Sequence, residues 1–283
     1  MCITLLLTII CAGFIPVRAD DAATPATVPS TRIATTYPTT RSTQFGCERL
    51  DLQVDGRRAF VIQPAHPAAD GTRPWLWYAP TFIGKLPSYP SPRHAWLMTR
   101  LLDRGFAIAG IDVGESYGNP QGRAAYDALH QVLTRDFGLS PRACLLPQSR
   151  GGLMLYNWAA EHPDRVACIG GIYTVCDLAS YPGLDRAAKA YGMPAEQFRD
   201  HLAEHNPIDR LKPLADAKVP IFHIHGDADR IVPLERNSGE LIKRYKALGG
   251  PGELLIIPGW GHAEVDAFFQ SQRLLDFFFS HSN

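Results

Sequence analysis

Three residue types able to share the work of acyl transfer stand at three separate points of the sequence. Ser149 lies in Leu145-Leu146-Pro147-Gln148-Ser149-Arg150-Gly151-Gly152, where an apolar run passes directly into a helical pattern. A serine on so sharp a turn is pushed out beyond the edge of a sheet, and the bend needs small neighbours, which Gly151 and Gly152 supply. Asp229 lies in His225-Gly226-Asp227-Ala228-Asp229-Arg230-Ile231-Val232-Pro233, after a second apolar run. His262 ends Pro258-Gly259-Trp260-Gly261-His262, after a third. A serine hydroxyl is too weak an acid to attack a carbonyl unaided. It needs an imidazole base, and the base needs a carboxylate to fix its tautomer and stabilise the imidazolium. The backbone N–H of Arg150, at the start of the helix, is an unpaired donor of the kind an oxyanion requires.

Each residue alone is ordinary: a serine before glycine is usually a turn or a helix cap. The order Ser, Asp, His, each beyond a strand end, gives the three their meaning together. A metal reading competes for part of the same stretch, since His223-Ile224-His225-Gly226-Asp227 fits His-x-His-x-Asp and residues two apart on a strand share a face. The histidine that would complete that pattern is replaced by Asp229, and only His262 and His281 remain downstream as ligands. No Cys-x-x-Cys pair exists either. The expectation is a site with no metal and no cofactor.

From about Gly46 to the C-terminus the chain resembles an α/β-hydrolase. Gln148-Ser149-Arg150-Gly151-Gly152 resembles the nucleophile elbow, His225 to Pro233 the acid loop, and Gly259-Trp260-Gly261-His262 the histidine loop. The Gly-x-x-Asp-x-x-Val-Pro spacing selects Asp229 over Asp227. The elbow departs from Gly-x-Ser-x-Gly in carrying Pro147 at its first glycine. The resemblance implies Ser149 as nucleophile, His262 as base and Asp229 as acid. It implies a second oxyanion donor from the loop after the third strand, Thr81 by alignment or Phe82 as the alternative.

The elements that must position these residues alternate along the chain. Cys47 to Val54 and Arg58 to Gln63 flank Asp55-Gly56, a hairpin signal. Strands are expected at 75–79, 106–112, 143–146, 166–173, 219–224 and 253–257. Helices are expected at 91–104, 121–136, 151–162, 235–248 and 263–280. The fold class is therefore α/β: a mostly parallel sheet with an N-terminal antiparallel hairpin and helices on both faces. Sites in such sheets form beyond the carboxyl ends of the strands. The segment from about 174 to 214 is polar and partly helical, and is expected to form a small cap over the site. Of the aromatic residues, Phe82 and Trp260 adjoin site loops and are the candidates for a substrate pocket.

Length and charge bound the rest. The 283 residues suit one large domain or two small ones, and 28 basic side chains balance 28 acidic ones. That balance speaks against a nucleic-acid partner. Residues 1–19 read as a secretory signal: an apolar run from Ile3 to Ile15, then Val17-Arg18-Ala19, with no Lys or Arg before the run. Loss of Arg18 would leave 27 basic against 28 acidic side chains, a net −1, in a secreted or periplasmic protein without stable membrane insertion. Residues 20–44, rich in Thr, Pro and Ala, read as a flexible tether, and residues 45–283 as the hydrolase domain. The mature chain would hold Cys47, Cys144, Cys168 and Cys176, paired in one of three ways or present as free buried thiols.

The expected activity is cleavage of a carboxylic ester on a small molecule. Two alternatives stand beside it: a serine peptidase of the prolyl-oligopeptidase-like type, and a non-catalytic binding protein on a hydrolase scaffold.

Overall fold

The computed structural model describes residues 35–85 and 89–282. The expected signal, and the expected tether as far as residue 34, lie outside the described residues. The last ten tether residues form a strand instead. This is β1 (Thr35–Gln44), antiparallel to β2 (Cys47–Val54), with Gln44 opposite Cys47. Thr40 to Thr43 are exposed, so the composition that suggested a tether is that of a solvated edge strand, and threonine favours the extended backbone.

β2 turns back into β3 (Arg57–Ile62) through Asp55 and Gly56, whose φ angles are 48° and 71°. Two successive positive φ angles are what a two-residue hairpin needs to match the strand twist. The remaining strands are β4 (Trp75–Ala79), β5 (Ala107–Ile111), β6 (Ala143–Pro147), β7 (Val166–Ile172), β8 (Ile221–Gly226) and β9 (Gly252–Ile257). They complete a nine-stranded sheet in the order β1-β2-β3-β5-β4-β6-β7-β8-β9. Pairing is antiparallel through β3–β5 and parallel from β5 onward. The fold is that of an α/β-hydrolase.

Strands β4 to β8 are buried at every residue, as a parallel sheet covered on both faces must be. Alternation divides each strand between two layers: Trp75, Trp77 and Ala79 pack on one side, Leu76 and Tyr78 on the other. The first layer is made by α2 (Pro120–Arg135), α3 (Gly151–Glu161) and α7 (Ser238–Ala247). The second is made by α1 (Ala95–Asp103), α8 (Asp266–Phe269) and α9 (Gln272–Ser280). The single helix expected over 263–280 is thus two. Ser271 accepts a hydrogen bond from Leu274 N–H to start the second, and residues 263–265 are released into a loop beside the site.

The segment 174–214 carries α4 (Leu184–Tyr191), α5 (Ala195–Asp200) and α6 (Lys212–Asp216). Tyr191 and Phe198 anchor it, buried in a third apolar cluster with Leu153, Val175 and Val232. All four described cysteines are free; Cys144 and Cys168 are directly paired across β6 and β7.

Candidate active site

The elbow is built by close backbone approach. Ser149 has φ of 50°, a left-handed conformation that costs a non-glycine residue strain, and it links β6 to α3. A Cβ on Gly151 would lie 2.1 Å from the Ala79 carbonyl oxygen, and one on Gly152 2.2 Å from that of Val175. Both positions therefore exclude side chains. The Ser149 N–H donates to Ile172 O (3.0 Å), Gly151 N–H to Gln148 O (2.8 Å) and Gly152 N–H to Ser149 O (3.1 Å). The Arg150 N–H is not used by these bonds and remains at the head of α3. Pro147 fits where the elbow pattern has glycine: it ends β6, and its carbonyl accepts from Thr174 Oγ1 at 3.1 Å.

The three residues singled out by the sequence converge. Ser149 Oγ lies 2.9 Å from His262 Nε2, and His262 Nδ1 lies 2.8 Å from Asp229 Oδ2. Asp229 is buried, and its Oδ1 accepts from the N–H groups of Ile231 (3.0 Å) and Val232 (2.8 Å). Burial opposes its charge. Hydrogen bonds from His225, His262 and the Val232 N–H together outweigh it and hold the carboxyl well below the usual carboxylate range. With Asp229 ionised, His262 Nδ1 donates and Nε2 accepts the Ser149 hydroxyl proton. The Tyr173 ring packs against the imidazole, 4.4 Å between centroids.

Beside Ser149 is a cavity of about 220 Å³. Its lining comes from the loop after β4 (Pro80, Phe82, Tyr89), the elbow (Gln148, Ser149, Arg150), Tyr173, and the loop after β9 (His262, Ala263, Glu264). Phe82 is in that lining. Trp260 is not: its side chain is exposed, and its contribution is a carbonyl that accepts from Ala228 N–H at 3.1 Å. Thr81 is also absent from the lining. It is buried, with its hydroxyl donating to Tyr78 O at 3.2 Å. None of the lining comes from 174–214. Tyr181 reaches only the rim, where the Arg150 guanidinium sits 5.6 Å from its ring and ion-pairs with Glu115.

A carboxylate that no sequence motif marks also lines the cavity. Glu264 accepts from Gln148 Nε2 (3.2 Å) and Ser91 Oγ (3.3 Å), and faces His94 Nε2 at 3.6 Å. Gln148 is held in turn by Tyr78 and by Tyr173 OH at 2.7 Å. Glu264 therefore ties the histidine loop to the residue preceding Ser149. Burial would raise its pKa, but the nearby His94 imidazole, with hydrogen bonds from Gln148 and Tyr89, prevails and brings it down from 4.5 to about 2. Its one signal in the sequence is its place two residues beyond His262, where no motif asks for an acid.

The ring nitrogens of the His-x-His pair are taken up by hydrogen bonds. The Nδ1 atoms of His223 and His225 both face Ser238 Oγ at 2.8 Å. Among the described residues no group of three His, Cys, Asp or Glu side chains is placed to hold a metal ion.

Comparison with known proteins decides the family. Residues 96–283, more than half of the chain, match the prolyl oligopeptidase family. The chain belongs to that family. None of the curated proteins matches it. Among solved structures, this family member is similar to an acylaminoacyl peptidase bound to Z-Gly-Gly-Phe-chloromethyl ketone, at 17% identity and a TM-score of 0.63 over 88% of this chain and 42% of that one. It thus spans about two-fifths of that peptidase. It is also similar to Est1E from Butyrivibrio proteoclasticus (17% identity, TM-score 0.60, 87% of this chain and 98% of that one). A third neighbour is an S-formylglutathione hydrolase from Agrobacterium tumefaciens (14%, TM-score 0.63, 87% and 99%).

Proposed function

We propose that the protein is a serine hydrolase that cleaves a carboxylic ester with a small acyl group. The observation that carries this reading is the continuous hydrogen-bonded file from Ser149 through His262 to Asp229, opening on a cavity of about 220 Å³. Ser149 Oγ attacks the carbonyl carbon while His262 Nε2 takes its proton. The oxyanion is held by the Arg150 N–H and by an N–H of the Thr81–Phe82 segment. His262 returns the proton to the leaving oxygen, and the alcohol departs. Water, deprotonated by the same imidazole, then releases the acid and restores Ser149. Asp229 keeps the imidazole in the required tautomer and stabilises its cation.

The second reading is a peptidase, supported by the family match and by the acylaminoacyl peptidase neighbour. Turnover of esters of graded acyl length, set against peptide amides, separates the two. The ester reading expects short acyl esters to be preferred. Preferential cleavage of amides would replace it with the peptidase reading. Export is proposed with it: the N-terminal sequence of protein recovered from outside the cytoplasm should begin at Asp20. Among the described residues no helix is long and apolar enough to cross a membrane.

A further inference from the structure

Behind Asp229 runs a buried file of side chains that the mechanism above does not use. Tyr156 OH lies 2.7 Å from His223 Nε2, and His223 Nδ1 lies 2.8 Å from Ser238 Oγ. Ser238 Oγ lies 2.8 Å from His225 Nδ1. His225 Nε2 lies 2.9 Å from the Val232 carbonyl oxygen and 3.4 Å from Asp229 Oδ2. All four side chains are buried.

With one proton on each ring, the direction of every bond is determined. His225 Nε2 faces only acceptors, so it carries its proton there. Its Nδ1 is then an acceptor and takes the Ser238 hydroxyl proton. Ser238 has no second proton, so it accepts from His223 Nδ1–H. His223 Nε2 is left with a lone pair and accepts from the Tyr156 hydroxyl. Burial, reinforced by the neighbouring His225, pushes His223 down to about 3, so that ring is neutral at ordinary pH.

We propose that this file is a positioning relay for Asp229, and that His225 is the positioning residue that limits how strongly the carboxylate pulls on His262. The proposal rests on the Ser149–His262–Asp229 reading and deepens it. Asp229 Oδ2 accepts from His262 Nδ1 at 2.8 Å and lies 3.4 Å from His225 Nε2, whose N–H is hydrogen-bonded to the Val232 carbonyl, while Oδ1 is occupied by two backbone N–H groups. The positive edge of the His225 N–H beside Oδ2 draws off charge that would otherwise stabilise the imidazolium. Removing that donor leaves more of the charge to His262, which then holds its proton to higher pH. The other groups facing this region are Tyr173 and Ser149 on His262, Glu264 on its own loop, and Cys176 and Tyr245 near Tyr156. None of them is substituted in the His225 and Ser238 variants below.

The test is the pH profile of kcat/KM on an ester for the full chain and for His225→Leu, His225→Gln and Ser238→Ala, with Tm as the check on folding. In His225→Leu the acid limb should move up by about half a pH unit. His225→Gln, whose amide nitrogen keeps a donor near the Nε2 position, should return most of that shift. Ser238→Ala should give a smaller shift of the same sign, because His225 loses the donor that fixes its tautomer. The relay is overturned if the folded variants lose Tm but keep their acid limbs within about 0.1 unit of wild type. If His225→Leu does not fold, the NMR signal of the His262 Nδ1 proton decides: Ser238→Ala should displace it, and an unmoved signal contradicts the proposal. Hydrolysis surviving in Ser149→Ala would sink the Ser149 reading itself, a result distinct from either outcome.

Discussion

The two ends of the sheet each carry a cavity, and the larger one lies away from the Ser149–His262–Asp229 file. At the amino ends of the strands, a cavity of about 460 Å³ is walled by Pro64, Pro67, Pro74, Phe137 and Leu139, with Arg73 its only ionisable lining residue. At the carboxyl ends, a cavity of about 220 Å³ gathers Ser149, His262, Glu264 and Arg150. Volume therefore does not locate the site. What separates the ends is convergence of polar groups, a strained residue at Ser149, and glycines pressed against backbone.

Deleting one group at each end should separate them most. Ser149→Ala should lower kcat by about 10⁴-fold or more, whereas Arg73→Ala should leave it within about twofold. Steady-state kinetics on one ester decides both, and comparable losses would erase the distinction.

Glycine substitutions should separate the two ends in stability. Gly151→Ala drives a Cβ into the Ala79 carbonyl oxygen and should cost about 3 kcal/mol or prevent folding. Gly71→Ala lines the amino-end cavity, where φ is +75° but nothing lies within 4 Å, and should cost about 1 kcal/mol. Urea denaturation measures both; equal costs would mean that the elbow is not tightly packed.

A third contrast is acid sensitivity. Glu264 has a folded-state pKa of about 2, below its ordinary 4.5. Its contribution to stability is therefore full above about pH 4.5 and is lost as the pH falls toward 2. Glu264→Gln should lower Tm at neutral pH and flatten the fall in Tm between roughly pH 5 and 2.5. A parallel fall in wild type and variant would remove Glu264 from the account. The smallest effect concerns the aromatic residues. Phe82→Ala should raise KM several-fold, while Trp260→Ala should leave it within about twofold. Reversal of that order would restore Trp260 to the pocket.

Much of the carboxyl end was legible because its constraints are local. The elbow must bend within a few residues, so Gly151 and Gly152 stand beside Ser149 in the sequence. The Asp55-Gly56 hairpin and the uniformly apolar β4 were legible for the same reason. What was not legible depends on distant contacts. Glu264 acquires its role from Gln148, Ser91 and His94, which lie more than a hundred residues away, and Trp260 adjoins the site in sequence while its side chain turns to solvent. The β1 strand was hidden because an edge strand and a tether share a polar, Thr-rich composition, and only pairing with β2 distinguishes them.

A nucleophilic Ser149 activated by His262 should react with a fluorophosphonate probe. Peptide mapping of the labelled, folded protein should place the adduct on Ser149, with labelling lost in Ser149→Ala and greatly slowed in His262→Ala. A folded protein that resists the probe, or carries the adduct on another residue, would contradict that role for Ser149.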